Sequence, residues 1–212
     1  MSEYTLIKDI TSYTYPSHMK RPDGFVGSNF FEKWIPNWKT HLGHLINKEN
    51  IIGIEIGCLH GDCSVFCADE IVNGKNSIHY AIDINDSQFL QNNIAPYKNI
   101  VFFKGRSYNI LKNVFTEKVA DYIYIDGSHL AIDVLSDAVL SWSILKDGGI
   151  LIFDDYGWGI HTTDEKQKPK LAIDAFLQGY TGHYEIIEMG WQVFLRKLPY
   201  IYSKEELEAN YQ

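Results

Sequence analysis

The stretch IIGIEIGCLHGDCS, residues 51–64, decides the fold. Its first six residues are apolar or glycine apart from Glu55 and read as a buried strand, which Gly57 and Gly61 follow. Glycines after a strand let the backbone turn sharply and approach a ligand, and the next helix N-terminus offers free N–H groups. Leu59 stands where the dinucleotide fingerprint has its middle glycine. The stretch therefore predicts a strand–loop–helix unit for a ligand without a pyrophosphate.

Outward from this stretch, short apolar runs alternate with amphipathic segments. Four further runs are rich in Ile, Val, Tyr or Phe, as strands covered on both faces should be, namely residues 77–84, 99–104, 120–126 and 149–155. The segment 129–145 has apolar residues at helical spacing. The alternation predicts an α/β fold with a Rossmann-like, doubly wound and mostly parallel sheet. HYEIIEMG and WQVFLRK, which meet at Gly190, predict an antiparallel C-terminal hairpin.

Length and composition fit one folded domain. The chain has 212 residues, and its 45% hydrophobic and 22% charged residues are near the globular average. These values exclude disordered, collagen-like and coiled-coil proteins. The formal net charge of −8, from 27 acidic and 19 basic residues, argues against a protein that binds by neutralising nucleic-acid phosphates. Nucleic acid is therefore not the expected partner.

The expected compartment is the cytoplasm. No run approaches the ~20 consecutive apolar residues of a membrane helix, so no membrane partner is expected. The start, MSEYTLIKDI, lacks the basic and apolar regions of a secretory signal. Cys58, Cys63 and Cys67 are an odd number of cysteines, which in such a chain favours reduced thiols over disulfides. Their spacing is not that of a zinc site, and we expect them to be buried thiols.

The two ends of the chain differ from the alternating region. Residues 1–48 are rich in Tyr, Trp, Pro and His and are predicted to be an N-terminal cover segment with a helix at about 30–47. Residues 49–200 form the α/β domain, and residues 201–212 are a short solvated tail. The polar loop 156–169 is long enough to act as a lid.

Acidic residues follow the predicted strands at one edge of the sheet. Asp83 closes the second strand, where a carboxylate can accept hydrogen bonds from both hydroxyls of a ribose, and a turn or cap residue is the alternative. Asp126 ends the fourth strand, and Asp154 and Asp155 end the fifth. These strands are neighbours in such a sheet, and three carboxylates that meet there favour Mg²⁺, Mn²⁺ or Ca²⁺ over zinc. Helix capping or contact with solvent is the alternative for the last two.

The loop residues resemble a known family. The motif Glu55-x-Gly57-x-x-x-Gly61-x-x-Ser64, Asp83, the segment Gly105-Arg106-Ser107 and the hairpin are similar to class I S-adenosylmethionine-dependent methyltransferases over about residues 50–197. The resemblance implies S-adenosylmethionine as cofactor and a seven-stranded sheet of order 3-2-1-4-5-7-6. It also implies that Gly57 and Gly61 shape the loop and that Asp83 holds the ribose. Four further residues would lie close to the cofactor, namely Glu55, Ser64, Ser107 and Asp126.

The segments IDGSH, residues 125–129, and FDDYGW, residues 153–158, resemble one group within this family. They are similar to metal-dependent O-methyltransferases of the macrocin, mycinamicin and aminocoumarin type, which act on sugars of natural products. The resemblance implies Mg²⁺ or Mn²⁺ at Asp126, Asp154 and Asp155 and a sugar or small-molecule glycoside as acceptor. It also makes a homo-oligomer possible.

This sequence differs from part of that group at the position of the general base. There the group has a second Asp, whereas this chain has Ser128. His129 is the remaining candidate, because a histidine can accept a proton at neutral pH. The alternative is that His129 only opens the next helix.

Other functions stay open from the sequence. A catechol-type acceptor would also suit a chelated cation. Methylation of RNA ribose would need a Lys-Asp-Lys-Glu set, for which the candidates are Lys20, Asp126, Lys168 and Glu188. The remaining alternatives are a non-catalytic cofactor-binding module and a dinucleotide-dependent oxidoreductase.

Overall fold

The computed structural model describes residues 30–200. Most of the predicted N-terminal cover segment, including Lys20, and the predicted tail lie outside the described residues. Seven strands form one sheet, namely β1 (Ile52–Ile56), β2 (Ile78–Asp83), β3 (Ile100–Lys104), β4 (Ala120–Ile125), β5 (Leu145–Phe153), β6 (Tyr184–Met189) and β7 (Val193–Lys197). Their order is β3-β2-β1-β4-β5-β7-β6, and β7 alone runs antiparallel to its neighbours β5 and β6. The predicted fold class, strand order and hairpin are confirmed.

Six α-helices flank this sheet in the described part of the chain. They are α1 (Ile35–Leu42), α2 (Asp62–Phe66), α3 (Gln88–Ile94), α4 (Ser107–Val114), α5 (Ala131–Ile144) and α6 (Pro169–Gly179). A π-helical turn at Cys67–Ile71 continues α2, and 3₁₀ turns lie at Glu32–Trp34, Gly43–Leu45 and Glu165–Gln167. None of the helices in residues 30–200 is long and apolar enough to cross a membrane.

Two elements differ from their predicted bounds. The predicted helix at about 30–47 is three short helical pieces, with Pro36 in the first turn of α1 and Gly43 at its end. Strand β5 begins at Leu145, directly after α5, although the sequence predicted its start near 149. The polar start of β5 reads as a loop, but Leu145 pairs with Ala120 of β4, and Lys146 forms an ion pair with Asp121 where the register between the two strands shifts.

The two faces of the sheet have separate cores. One face packs against α4, α5 and α6, and the other packs against α1 and α2. On the second face the fully buried indole of Trp38 lies 4.9 Å from the ring of Tyr124 and 6.2 Å from that of Tyr122, measured between centroids. Helix α1 therefore fills the core beneath the end of β4. The cysteines at 58, 63 and 67 are buried and free, as predicted.

Candidate active site

The loop after β1 packs against the backbone of the loop after β4. Gly57 has a φ of +87°, and a Cβ there would lie 2.2 Å from the carbonyl oxygen of Asp126 and 2.4 Å from Cα of Gly127. Both the left-handed backbone and the lack of space require glycine. Gly61 also has a positive φ, of +84°, directly before α2. The two glycines therefore shape the loop, and Gly57 fixes its distance from Asp126.

Replacing Gly57 with alanine should lower the free energy of unfolding by about 2–5 kcal/mol, because a strained φ and a backbone clash act together. Gly182 is a matched control, because its φ is also +87° but nothing lies within 4 Å of its Cβ position. Gly182→Ala should cost only ~1–2 kcal/mol. Urea unfolding followed by circular dichroism measures both values. Equal losses would contradict the close packing of Gly57 against Asp126.

Asp83 holds the glycine loop. Its Oδ2 accepts hydrogen bonds from the backbone N–H groups of Cys58, at 3.0 Å, and Leu59, at 2.9 Å. Its Oδ1 accepts one from the N–H of Asn85 at 2.8 Å. A carboxylate has about four lone-pair positions, so Oδ1 can still accept a hydrogen bond from a ligand hydroxyl. Asp83 therefore both orders the loop and remains able to bind a ribose.

Apolar side chains missed by the sequence reasoning flank Asp83. Ile84 is 71% exposed and Leu59 is 52% exposed, although both are large and apolar. The signal in the sequence is weak, because each is a single apolar residue that directly follows the end of a strand or lies in a loop. Ile84 follows Asp83 directly in the chain, and Leu59 is hydrogen-bonded to it through the backbone, so both present exposed apolar surface near this carboxylate.

Glu55 and Ser64 contact each other beneath the loop. The Ser64 hydroxyl donates to Glu55 Oε2, which also lies 2.9 Å from Nε2 of His79. His79 Nδ1 lies 2.9 Å from the Tyr122 hydroxyl. Burial lowers the pKa of His79, but contacts with Cys67 and Glu55 outweigh it and raise this pKa to about 10. Glu55 and His79 therefore form a buried ion pair that supports the loop, and direct contact of Glu55 or Ser64 with a cofactor stays a prediction.

Ser107 begins helix α4 and is hydrogen-bonded to Asp137 of α5. Burial raises the pKa of Asp137 to about 6, against the lowering effect of this hydrogen bond. The serine thus links two helices at the sheet edge that carries Asp83. Its predicted contact with the cofactor stays a prediction.

Asp126 and Asp154 converge on one hydroxyl group. The Tyr124 Oη lies 2.6 Å from Asp154 Oδ2 and 3.1 Å from Asp126 Oδ2. Burial and the charges of Asp154 and Asp155 raise the pKa of Asp126 well above its usual range. Burial also raises the pKa of Asp154, although the hydrogen bond from Tyr124 opposes it. Like charges this close are relieved by a cation, and carboxylate oxygens suit a hard one.

Asp155 turns toward a different partner. It adopts a left-handed φ of +61° directly after Asp154, and its Oδ2 lies 2.8 Å from Nε2 of His129. Within residues 30–200, no group of three or more His, Cys, Asp and Glu side chains forms a metal-binding cluster. The structure therefore brings together two of the three predicted metal ligands and pairs the third with the predicted base.

The ring of Trp158 covers His129. The two rings are stacked with centroids 4.3 Å apart and an angle of 15° between their planes. Trp158 is 45% exposed and belongs to the loop that follows Asp155. His129 is thus held by a carboxylate at one nitrogen and by an indole across its face. It lies in the loop before α5, which begins at Ala131.

The described residues of the RNA-type set have separate partners. Lys168 pairs with Glu165. Glu188 accepts a hydrogen bond from Asn37 at 2.7 Å and lies 2.6 Å from Nε2 of His41. Asp126, by contrast, contacts Tyr124. Each of these three residues thus has its own partner in the part of the chain that the structure describes.

Residues 54–156 match the sequence model of a family described as a methyltransferase domain. The strand order described above is that of the Rossmann-like methyltransferase fold. The matched part runs from β1 to the residue after Asp155, so it contains every predicted site residue. No protein of curated function matches the sequence significantly.

Solved methyltransferases share the fold. The MycE methyltransferase of the mycinamycin biosynthetic pathway, in complex with Mg, SAH and mycinamycin VI, gives a TM-score of 0.62 at 16% identity, over 81% of this chain and 51% of its own. An rRNA methylase from Streptococcus thermophilus gives a TM-score of 0.59 at 16% identity, and the match covers 78% of this chain and 97% of the methylase. A Klebsiella pneumoniae protein described as an O-methyltransferase gives 0.61 at 14% identity, over 84% of both chains. This chain spans about half the length of MycE, and such identities show the fold alone.

Proposed function

We propose that this chain transfers the methyl group of S-adenosylmethionine to a hydroxyl of a sugar or small-molecule glycoside, with a divalent cation, Mg²⁺ or Mn²⁺, at the site. The observation that carries the proposal is the pairing of His129 with Asp155 beside the convergent carboxylates Asp126 and Asp154. All four follow strands β4 and β5, at the same edge as Asp83 and the glycine loop. A base, a cation site and a cofactor loop are what metal-assisted methyl transfer to a hydroxyl needs.

His129 is suited to accept a proton at Nδ1. The Asp155 carboxylate accepts hydrogen bonds only, so Nε2 of neutral His129 carries the hydrogen and donates it to Oδ2 over 2.8 Å. The lone pair on Nδ1 is then available. Nδ1 would take the proton of the acceptor hydroxyl when that oxygen is methylated, and S-adenosylhomocysteine would be the leaving group. Asp155 keeps the imidazole orientation and stabilises its charged form.

Other residues would bind the cation and the cofactor. Asp126 and Asp154 would hold the cation, with Asp155 as the third ligand, and Asp83 would hold the ribose of the cofactor. Bound S-adenosylmethionine supplies an electrophilic methyl group, and a bound divalent cation supplies Lewis acidity toward the acceptor oxygen. The stack of Trp158 on His129 keeps water from one face of the ring and fixes the direction of the proton transfer.

A small, ring-shaped acceptor fits the surroundings of His129. The exposed apolar side chains Trp158, Leu130 and Ile160 lie close in sequence to His129 or Asp155 and are 45%, 47% and 77% exposed. Such surfaces favour the apolar face of a sugar ring over a phosphate backbone. The complex of MycE with Mg, SAH and mycinamycin VI supports an acceptor of this kind, and the formal charge of −8 counts against RNA.

Methyl transfer should depend on a divalent cation. Incubation with labelled S-adenosylmethionine and a panel of glycosides should give labelled product with Mg²⁺, and excess EDTA should reduce it by at least ~10³-fold, because several kcal/mol of stabilisation are lost. Adding Mg²⁺ beyond the EDTA should restore the product. The measurement is the amount of labelled glycoside per time.

One control and two possible outcomes make this test decisive. Cofactor binding is measured separately by calorimetry with S-adenosylhomocysteine, which should be unaffected by EDTA. Transfer that is indifferent to chelation would refute the metal assignment. Transfer to RNA or to catechols, without transfer to any glycoside, would refute the proposed acceptor.

A further inference from the structure

We infer that Tyr124 and Gln192 are positioning residues that orient Asp154 and Asp126 for the divalent cation. The inference rests on the metal-dependent function proposed above. It concerns a buried chain of hydrogen bonds that runs from helix α1, through the turn before β7, to the end of β4. None of its three polar side chains was a predicted site residue.

The hydrogen bonds in this chain can run in one direction only. Trp38 Nε1 donates to Gln192 Oε1 over 3.0 Å, and an indole N–H can only donate. The amide of Gln192 therefore places its oxygen toward Trp38 and its nitrogen toward Tyr124, to whose Oη it donates over 3.2 Å. Because the hydroxyl accepts from Gln192, its own hydrogen points to the carboxylates.

The hydroxyl of Tyr124 fixes the nearer carboxylate. It lies 2.6 Å from Asp154 Oδ2, a short distance typical of a charge-assisted bond. The other oxygen of this carboxylate, Oδ1, accepts from the backbone N–H of Asp155 over 2.8 Å. Both oxygens of Asp154 are thus held, and each keeps a lone pair for another ligand. The rotamer of Asp154 is set before any cation arrives.

Burial makes this arrangement stiff. Trp38 is 0% exposed, and Tyr124 and Gln192 are each 1% exposed, so water cannot replace a broken hydrogen bond without a change in packing. A fully satisfied polar chain in a low-dielectric core selects one geometry. Hydrogen bonds to metal-binding side chains typically change metal affinity by ~10–100-fold. The carboxylates are therefore preorganised by residues that do not touch the cation.

Tyr122 provides a matched control on the same strand. Both Tyr122 and Tyr124 are buried on one face of β4 and pack against Trp38. The Tyr122 hydroxyl, however, contacts His79 instead of a carboxylate. Removing either hydroxyl leaves the same phenyl ring in the core. Only the removal at Tyr124 should alter cation binding.

The test is a titration of the whole chain with Mn²⁺, followed by electron paramagnetic resonance of the free ion. Tyr124→Phe should weaken Mn²⁺ binding by ~10–100-fold. Gln192→Met should weaken it less, by about threefold to tenfold, because the Tyr124 hydroxyl can still donate but is free to rotate. Tyr122→Phe should stay within twofold of the wild type, and S-adenosylhomocysteine affinity should be retained in Tyr124→Phe and Gln192→Met. Circular dichroism melting confirms that each variant is folded.

The outcomes separate this inference from the proposed function. Unchanged or tighter Mn²⁺ binding in Tyr124→Phe and Gln192→Met, with a wild type that binds, overturns the inference alone. Equal weakening in Tyr122→Phe also overturns it, because a general loss of packing would then be the cause. A wild type that does not bind Mn²⁺ overturns the inference together with the metal-dependent function.

Discussion

Asp154→Ala should reduce Mg²⁺-dependent methyl transfer by at least ~10³-fold and leave the affinity for S-adenosylhomocysteine within twofold of the wild type. The carboxylate of Asp154 converges with that of Asp126 on the Tyr124 hydroxyl. Its loss therefore removes one of the two carboxylates that lie together at the proposed cation site. The expected loss in rate corresponds to the several kcal/mol that a cation contributes to stabilising developing charge. Cofactor binding is spared because none of the hydrogen bonds that order the glycine loop involves Asp154.

Asp83→Ala should show the opposite pattern. It removes the acceptor of two loop N–H groups and the predicted partner of the ribose, so affinity for S-adenosylhomocysteine should fall by ~10²-fold or more. Mn²⁺ affinity should stay within about threefold. Asp86 is a suitable control, because it lies three residues away and forms an exposed ion pair with Lys104. Asp86→Ala should leave both affinities close to those of the wild type.

Calorimetry with S-adenosylhomocysteine and resonance titration with Mn²⁺ measure the two affinities independently. The assignment of Asp83 to the ribose is contradicted if Asp83→Ala binds S-adenosylhomocysteine as tightly as the wild type. The assignment of Asp154 to the cation is contradicted if Asp154→Ala retains chelator-sensitive transfer. Loss of both affinities in both variants would indicate one cooperative site in place of two separable halves.

His129→Asn should lower kcat by ~10²–10⁴-fold, the usual contribution of a general base, with little change in KM. Asparagine fills similar space and can still contact Asp155, but it cannot accept the proton of the acceptor hydroxyl. The rate is measured at saturating S-adenosylmethionine, Mg²⁺ and glycoside, because only the proton-transfer step should be affected. Mn²⁺ affinity should be retained.

An exposed histidine on a different element serves as the comparison. His44 lies in the 3₁₀ turn that follows α1, and His44→Asn should leave kcat within twofold of the wild type. A rate within about threefold of the wild type in His129→Asn would show that another group accepts the proton. A rate loss accompanied by loss of Mn²⁺ affinity would place His129 among the metal ligands instead.

The sheet and the position of its ligand edge were predictable from local patterns. Buried parallel strands are short apolar runs, and the acidic residues Asp83, Asp126 and Asp154 directly follow such runs. Their position at one edge then follows from parallel topology alone. The start of β5 was missed because Lys146 and Asp147 resemble loop residues, whereas the partner that holds Lys146 in place, Asp121, lies on β4.

Contacts between distant segments could not be predicted in this way. Trp38 and Gln192 are 154 positions apart in sequence, and Gln192 and Tyr124 are 68 positions apart, so no periodicity links them. The same holds for the buried pair of Glu55 and His79, in which each residue occupies a strand of otherwise apolar pattern. Tertiary packing determines such polar partners in a core. Secondary-structure propensity and residue spacing in the sequence carry no information about it.

The contact of Gly57 with the carbonyl of Asp126 also constrains how this protein can diversify. Because one main chain rests directly on another, the separation between the proposed cofactor site and the proposed acceptor site is a property of the backbone. Side chains on the loop after Asp155 can therefore be exchanged without altering that separation. The backbone therefore sets the distance over which the proposed methyl transfer takes place. Evolution or design can change the acceptor without changing that distance.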